Sequence, residues 1–128
     1  MGKKEVLENF GKILMSEVRD ESIEQYEMIV AGRLKSARAL VQHKKLSSFN
    51  KDQQAIIREM MVDTVDGVLH FFLCMLEQHE EDIDLNIAVS GTALKENIKD
   101  LSDGLEGELY TEDGWIAQFS AYKENFGL

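Results

Sequence analysis

Five residues able to ligate metals or move protons, Asp63, Asp66, His70, Cys74 and Glu77, recur at steps of three and four along an otherwise apolar stretch. On a helix that spacing places them on one stripe, and Asp66 with His70 one turn later can share a metal ion or orient an imidazole. Asp63, Asp66 and His70 are therefore candidate metal ligands of a helical-bundle enzyme or sensor, with further ligands required from another helix. The plainer reading makes the stripe the solvated strip of its helix, or His70 a core histidine hydrogen-bonded to Asp66. Cys74 adds little chemistry, because Phe72, Leu73, Met75 and Leu76 around it disfavour the thiolate.

The second constellation is acidic. Residues 1–76 carry 11 acids and 11 bases, whereas residues 77–128 carry 13 acids and 3 bases, so the whole formal charge of −10 resides in the C-terminal part. Glu77, Glu80, Glu81, Asp82 and Asp84 form one cluster, and Asp100, Asp103, Glu106 and Glu108 a second. A surface of this kind repels nucleic-acid phosphates and anionic lipid headgroups and attracts cationic partners at low salt. Its plainer reading is a solubilising face. Upstream lies the complement: Arg33, Lys35, Arg38, Lys44, Lys45 and Lys51, with no acid between Glu27 and Asp52.

Other chemistries find no motif. Asp82, Asp84 and Asn86 match the first ligand positions of a calcium loop, but Ile87 stands where the chain must turn sharply and Ala93 where a bidentate carboxylate belongs. Gly104 and Gly107 lack the lysine and hydroxyl of a phosphate loop and lie among acids. No serine elbow surrounds Ser90. Catalysis and a cofactor are not indicated.

The elements that position these residues are helical. With no proline in 128 residues and 44% apolar composition, the chain is expected to fold as one helical domain over residues 1–128. Val6, Phe10, Ile13, Leu14 and Val18 mark a first amphipathic helix over about residues 3–19. Ser22 with Gln25 has the spacing of a capping box and predicts a new helix start. Ile23, Tyr26, Val30, Leu34, Ala37 and Val41 continue with helical period across Gly32, which leaves one helix or two open.

Asn50 with Gln53 repeats the capping-box spacing and opens the longest helix, about residues 51–79. After Ile56 this segment is apolar on nearly all sides, the pattern of a central helix wrapped by its neighbours. Ile83, Leu85, Ile87 and Val89 alternate like a half-buried strand, although no second segment alternates comparably. Leu94, Ile98 and Leu101 suggest a short helix. Thr111 is a candidate cap for a last helix with a stripe of Trp115, Phe119, Tyr122 and Phe126.

The expected fold is thus a mainly α bundle of four to six helices around the helix at about 51–79, with one short β segment at about 83–89. A single free cysteine and the lack of an apolar leader point to the cytoplasm. The reading favoured by charge is a small acidic protein-binding module, in the manner of an inhibitor, immunity-like protein or regulatory adaptor. It would present its acidic C-terminal surface to a basic protein partner, without binding nucleic acid or membrane. Two alternatives stand beside it: the metal-binding enzyme or sensor, and a homo-oligomeric structural protein in which the basic island docks on the acidic surface of a second copy, a homodimer in the simplest case.

Overall fold

A computed structural model describes residues 2–79, 82, 85–88 and 95–123. It is mainly helical, with one two-stranded antiparallel sheet. Helix α1 (Lys3–Leu14) runs through a π turn (Met15–Arg19) directly into α2 (Asp20–Val30). Helix α3 (Ala37–Ser47) and the long α4 (Lys51–Gln78) follow. Strands β1 (Asn86–Ala88) and β2 (Lys95–Asn97), two 3-10 turns (Ile98–Leu101 and Leu105–Leu109) and a short α5 (Trp115–Phe119) complete the described chain.

The helix start expected at Ser22 does not occur. The Ser22 hydroxyl donates back to the Val18 carbonyl, four residues earlier, so the side chain rides on a continuing helix instead of capping a new one. Nor do Ile13 and Val18 face the core; both are exposed. The inward series is instead Leu7, Gly11, Met15, Arg19 and Ile23, all buried and all four residues apart. A step of four overshoots an α turn by about 40°. The π turn, which advances less per residue, takes back the drift and returns Met15, Arg19 and Ile23 to the side on which Leu7 and Gly11 lie.

At Gly32 the chain breaks into two helices. Gly32 takes the left-handed conformation (φ +73°), and the Arg33 amide bonds to the Met28 carbonyl, which closes α2. Ser36 caps α3 by accepting from the Ala39 amide at 3.2 Å. His43 then holds α3 on the end of α2, its Nδ1 lying 3.1 Å and 3.0 Å from the carbonyls of Ile29 and Val30.

Helix α4 begins as expected, with both hydrogen bonds of the Asn50 and Gln53 capping box formed. It is not wrapped. Leu69, Leu73 and Leu76 are buried in one cluster with residues of α1, the 3-10 turns and α5, and Val62 is buried on the same side, while the opposite side of the helix stays open. An all-apolar stretch records no preference for which side is covered, and the other elements lie on one side of α4.

The strand expected at 83–89 is present in its middle, and its partner is Lys95–Asn97, in register Asn86↔Asn97, Ile87↔Glu96 and Ala88↔Lys95. Residues 83, 84, 89 and 94 lie outside the described residues. Ile98 and Leu101 belong to a 3-10 turn after β2, where a helix was expected.

Thr111 does not cap the last helix. It has φ +84°, and Gly114 is the cap residue, its backbone packed so closely against the Tyr110 carbonyl that a side chain would not fit. Helix α5 ends at Phe119, so Tyr122 falls beyond it, and Phe126 lies outside the described residues. Trp115 and Ile116 are nonetheless core residues. The Trp115 indole lies against Gly11, where a Cβ would come within 2.4 Å of the ring, and meets Phe10 edge to face at 5.9 Å.

Candidate functional site: the seam and the open face of the long helix

The five-residue polar stripe of α4 runs along the seam between its buried and open sides, and the fold divides it. Asp63 is exposed. Asp66 is buried and committed to Arg19, which has no solvent exposure at all. Arg19 Nε donates to Asp66 Oδ1 at 2.6 Å and Nη2 to Oδ2 at 3.3 Å, a bidentate fork. Nη1 donates to the Ser120 hydroxyl at 2.8 Å and to the Tyr122 carbonyl. Asp20, one residue after Arg19, accepts from Ser120 and from the Ala121 amide. One guanidinium thereby ties α4, the end of the π turn and the segment after α5 together.

His70 therefore does not pair with Asp66. Its Nε2 lies 3.6 Å from the Cys74 sulfur, its ring packs beside Phe71 and Tyr110, and its Nδ1 is buried without a hydrogen-bond partner. With Asp66 engaged by Arg19 and Asp63 in solvent, Asp63, Asp66 and His70 do not form a ligand set. Among the described residues no three His, Cys, Asp or Glu side chains converge on a cation position.

Farther along the seam the fold joins two of the acids singled out from sequence. Glu77 accepts from the Leu105 amide, at the start of the second 3-10 turn, and shares a hydrogen bond with Glu106. Burial pushes the Glu77 carboxyl up, and the neighbouring Glu106 charge adds to that; Glu106 is held down, first by its backbone hydrogen bond and then by that with Glu77. Of the two carboxyls Glu77 is therefore the one that takes up a proton first as pH falls. Burial raises Cys74 too, reinforced by Glu106 and Glu77, so the thiol is not a poised nucleophile. Tyr110 is raised by burial and by the Asp66 charge.

The remaining acids do not converge on this pair. Asp82, Asp100 and Asp103 are exposed, with Asp82 beside His79 at 3.6 Å, and Glu108 accepts from the Ser102 hydroxyl at 2.8 Å. Glu80, Glu81 and Asp84 lie outside the described residues.

Two features were hidden from sequence reasoning. Arg19 looks like any surface arginine, and only its place four residues from both Met15 and Ile23 marks it as inward-facing. The second is the open side of α4, where Ile56, Met60, Val68 and Phe71 are 59%, 65%, 64% and 72% exposed, with Met75 also in solvent. These side chains present on the order of 600 Å² of apolar surface, at the top of the range for the largest patch of an ordinary monomer. Among the described residues no helix is long and apolar enough to cross a membrane. The chain matches no protein-family model, no curated protein and no solved structure.

Proposed function

We propose that the protein is a binding module for another protein chain, in the manner of a small inhibitor or regulatory adaptor, and that its docking element is the open apolar face of α4. The observation that carries this reading is Phe71, 72% exposed on the open apolar side of a 28-residue helix. Large aromatic and methionine side chains held on a preorganised helix are the usual anchors of helix-in-groove and helix-on-helix recognition. The acidic C-terminal side chains, Asp82, Asp100 and Asp103 among them, supply long-range attraction toward a basic partner and accelerate encounter. The unpaired thiol Cys74 suits a reducing, intracellular setting.

Affinity capture with tagged wild-type protein and with Phe71→Glu tests the reading. Polypeptides held by the wild type are expected to be lost from the variant at both low and high salt, because the apolar anchor does not depend on ionic strength. Replacing Asp100 and Asp103 by lysine is expected to weaken capture at low salt chiefly. The same polypeptides retained equally by wild type and Phe71→Glu would overturn the assignment of the face.

A further inference from the structure

The order of residues along the open face identifies its partner, on the reading that this face binds protein. Ile56, Met60, Thr64, Gly67, Phe71 and Met75 follow one another at steps of four, four, three, four and four. That spacing is the same from either end, and so is the pattern of sizes: two large apolar residues, two small ones, two large apolar ones. We propose that α4 docks on the same face of a second copy of this chain, the two helices antiparallel about a two-fold axis at the level between Thr64 and Gly67.

An isologous interface requires that if one residue meets another, the second also meets the first. Here the requirement is met at these six positions, while Val68, at the edge of the face, falls opposite the exposed Asp63. Ile56 lies against Met75, Met60 against Phe71, and Thr64 against Gly67, and each contact recurs on the other side of the axis. Met60 on Phe71 is a thioether on an aromatic ring, a favourable contact in its own right. At the axis the two small residues set the distance between helices, which depends on the side chains at the crossing. Gly67 is unfavourable within a helix, and a Cβ there would meet nothing within 4 Å in a single copy. Close approach of a second backbone gives its place at the centre of the stripe a physical reason.

Charge selects the same orientation. At the N-terminal end of α4 stand Lys44, Lys45 and Lys51, all exposed, against the single exposed acid Asp52; past its C-terminal end stands the exposed Asp82, with no lysine or arginine in the last turn of the helix. Antiparallel packing brings the basic end of each copy toward the acidic end of the other, whereas parallel packing sets like charge on like. Burial of both faces in full would remove on the order of 1,200 Å² of apolar surface, the low end of the range for specific interfaces and that of a dimer formed at high concentration.

The test uses the full-length chain in light scattering from micromolar to millimolar concentration, together with oxidative cross-linking. The mass is expected to double with concentration for the wild type. Phe71→Glu, and independently Met60→Lys, should weaken association roughly tenfold or more while the far-ultraviolet circular dichroism stays unchanged. In a Cys74→Ser background, Thr64→Cys should form a disulfide-linked dimer, because the two positions flank the axis. The native Cys74 pair, about 26 Å apart along the helices, should not. A mass of one copy at every concentration would overturn the proposal, even if another polypeptide were captured through Phe71, in which case the binding-module reading alone would stand. Cross-linking through Cys74 as readily as through Thr64→Cys would overturn the antiparallel arrangement.

Discussion

The two faces of α4 differ in the opposite sense from the usual one. The covered face holds a charged pair, Arg19 and Asp66, among Val62, Leu69 and Leu73, and the face in solvent holds Ile56, Met60 and Phe71. Burial in this molecule therefore follows what the rest of the chain can reach, not hydrophobicity alone. Charge is tolerated inside because all three guanidinium nitrogens of Arg19 donate hydrogen bonds, two of them to Asp66, and apolar surface is left outside because nothing among the described residues lies over it.

That contrast is sharpest at Asp66. Asp66→Ala leaves Arg19 buried with no counter-charge, a change that costs about 3–5 kcal/mol in comparable pairs. A fall in melting temperature of roughly 10 °C or more, or failure to fold, is expected. A melt within a few degrees of wild type would mean that the guanidinium is not held as described.

Leu73 and Phe71 test the same contrast with apolar side chains two residues apart. Leu73→Ala removes fully buried methyl groups and is expected to cost about 2–5 kcal/mol, whereas Phe71→Ala in dilute solution should change stability by no more than about 0.5 kcal/mol. Equal losses measured by urea unfolding would place both faces in the core.

The glycines make the same comparison in reverse. Gly11→Ala drives a methyl group into the Trp115 ring and should destabilise by about 1–3 kcal/mol. Gly67→Ala meets open space and should stabilise the single chain by about 0.5–1 kcal/mol through helix propensity, while weakening self-association.

The smallest effect lies on the seam. Because the Glu77 carboxyl is raised in the folded chain, its protonated form is the stabilising one; that contribution is complete at acid pH and is lost as pH rises through the raised value. Glu77→Gln keeps a neutral acceptor for the Leu105 amide and a donor to Glu106 without titrating. Its melting temperature should therefore exceed that of wild type at neutral pH, the difference closing as pH falls into the ordinary carboxylate range. A difference that grows on acidification would contradict the upward displacement of the Glu77 carboxyl.

Local signals carried well from sequence into structure. The Asn50 and Gln53 capping box placed the start of α4 at Lys51, and the alternation around Ile87 marked β1, because both depend on residues a few positions apart. Properties that depend on distant residues did not carry. The second strand, Lys95–Asn97, has no apolar alternation of its own and is defined by pairing with β1. Ser22 has the capping spacing, but spacing alone does not distinguish a cap from a hydroxyl bonded back to its own helix.

The same limit applies to the site. Asp66 and His70 share a stripe, and nothing local reveals that Arg19, 47 residues earlier, takes the carboxylate. Glu77 and Glu106, assigned to one acidic surface, meet as a hydrogen-bonded pair only because the second 3-10 turn packs on α4. The apolar run after Ile56 read as buried on all sides, and half of it is not; which side this chain covers is a property of the assembled fold.

The most direct measurement is methionine oxidation by peroxide, read by mass spectrometry at two protein concentrations. In dilute solution Met60 should oxidise rapidly and Met15, fully enclosed, slowly; at high concentration Met60 should become protected while Met15 is unchanged. Slow oxidation of Met60 at dilution would show that the chain covers its own α4. Rapid oxidation at both concentrations would show that a second copy does not.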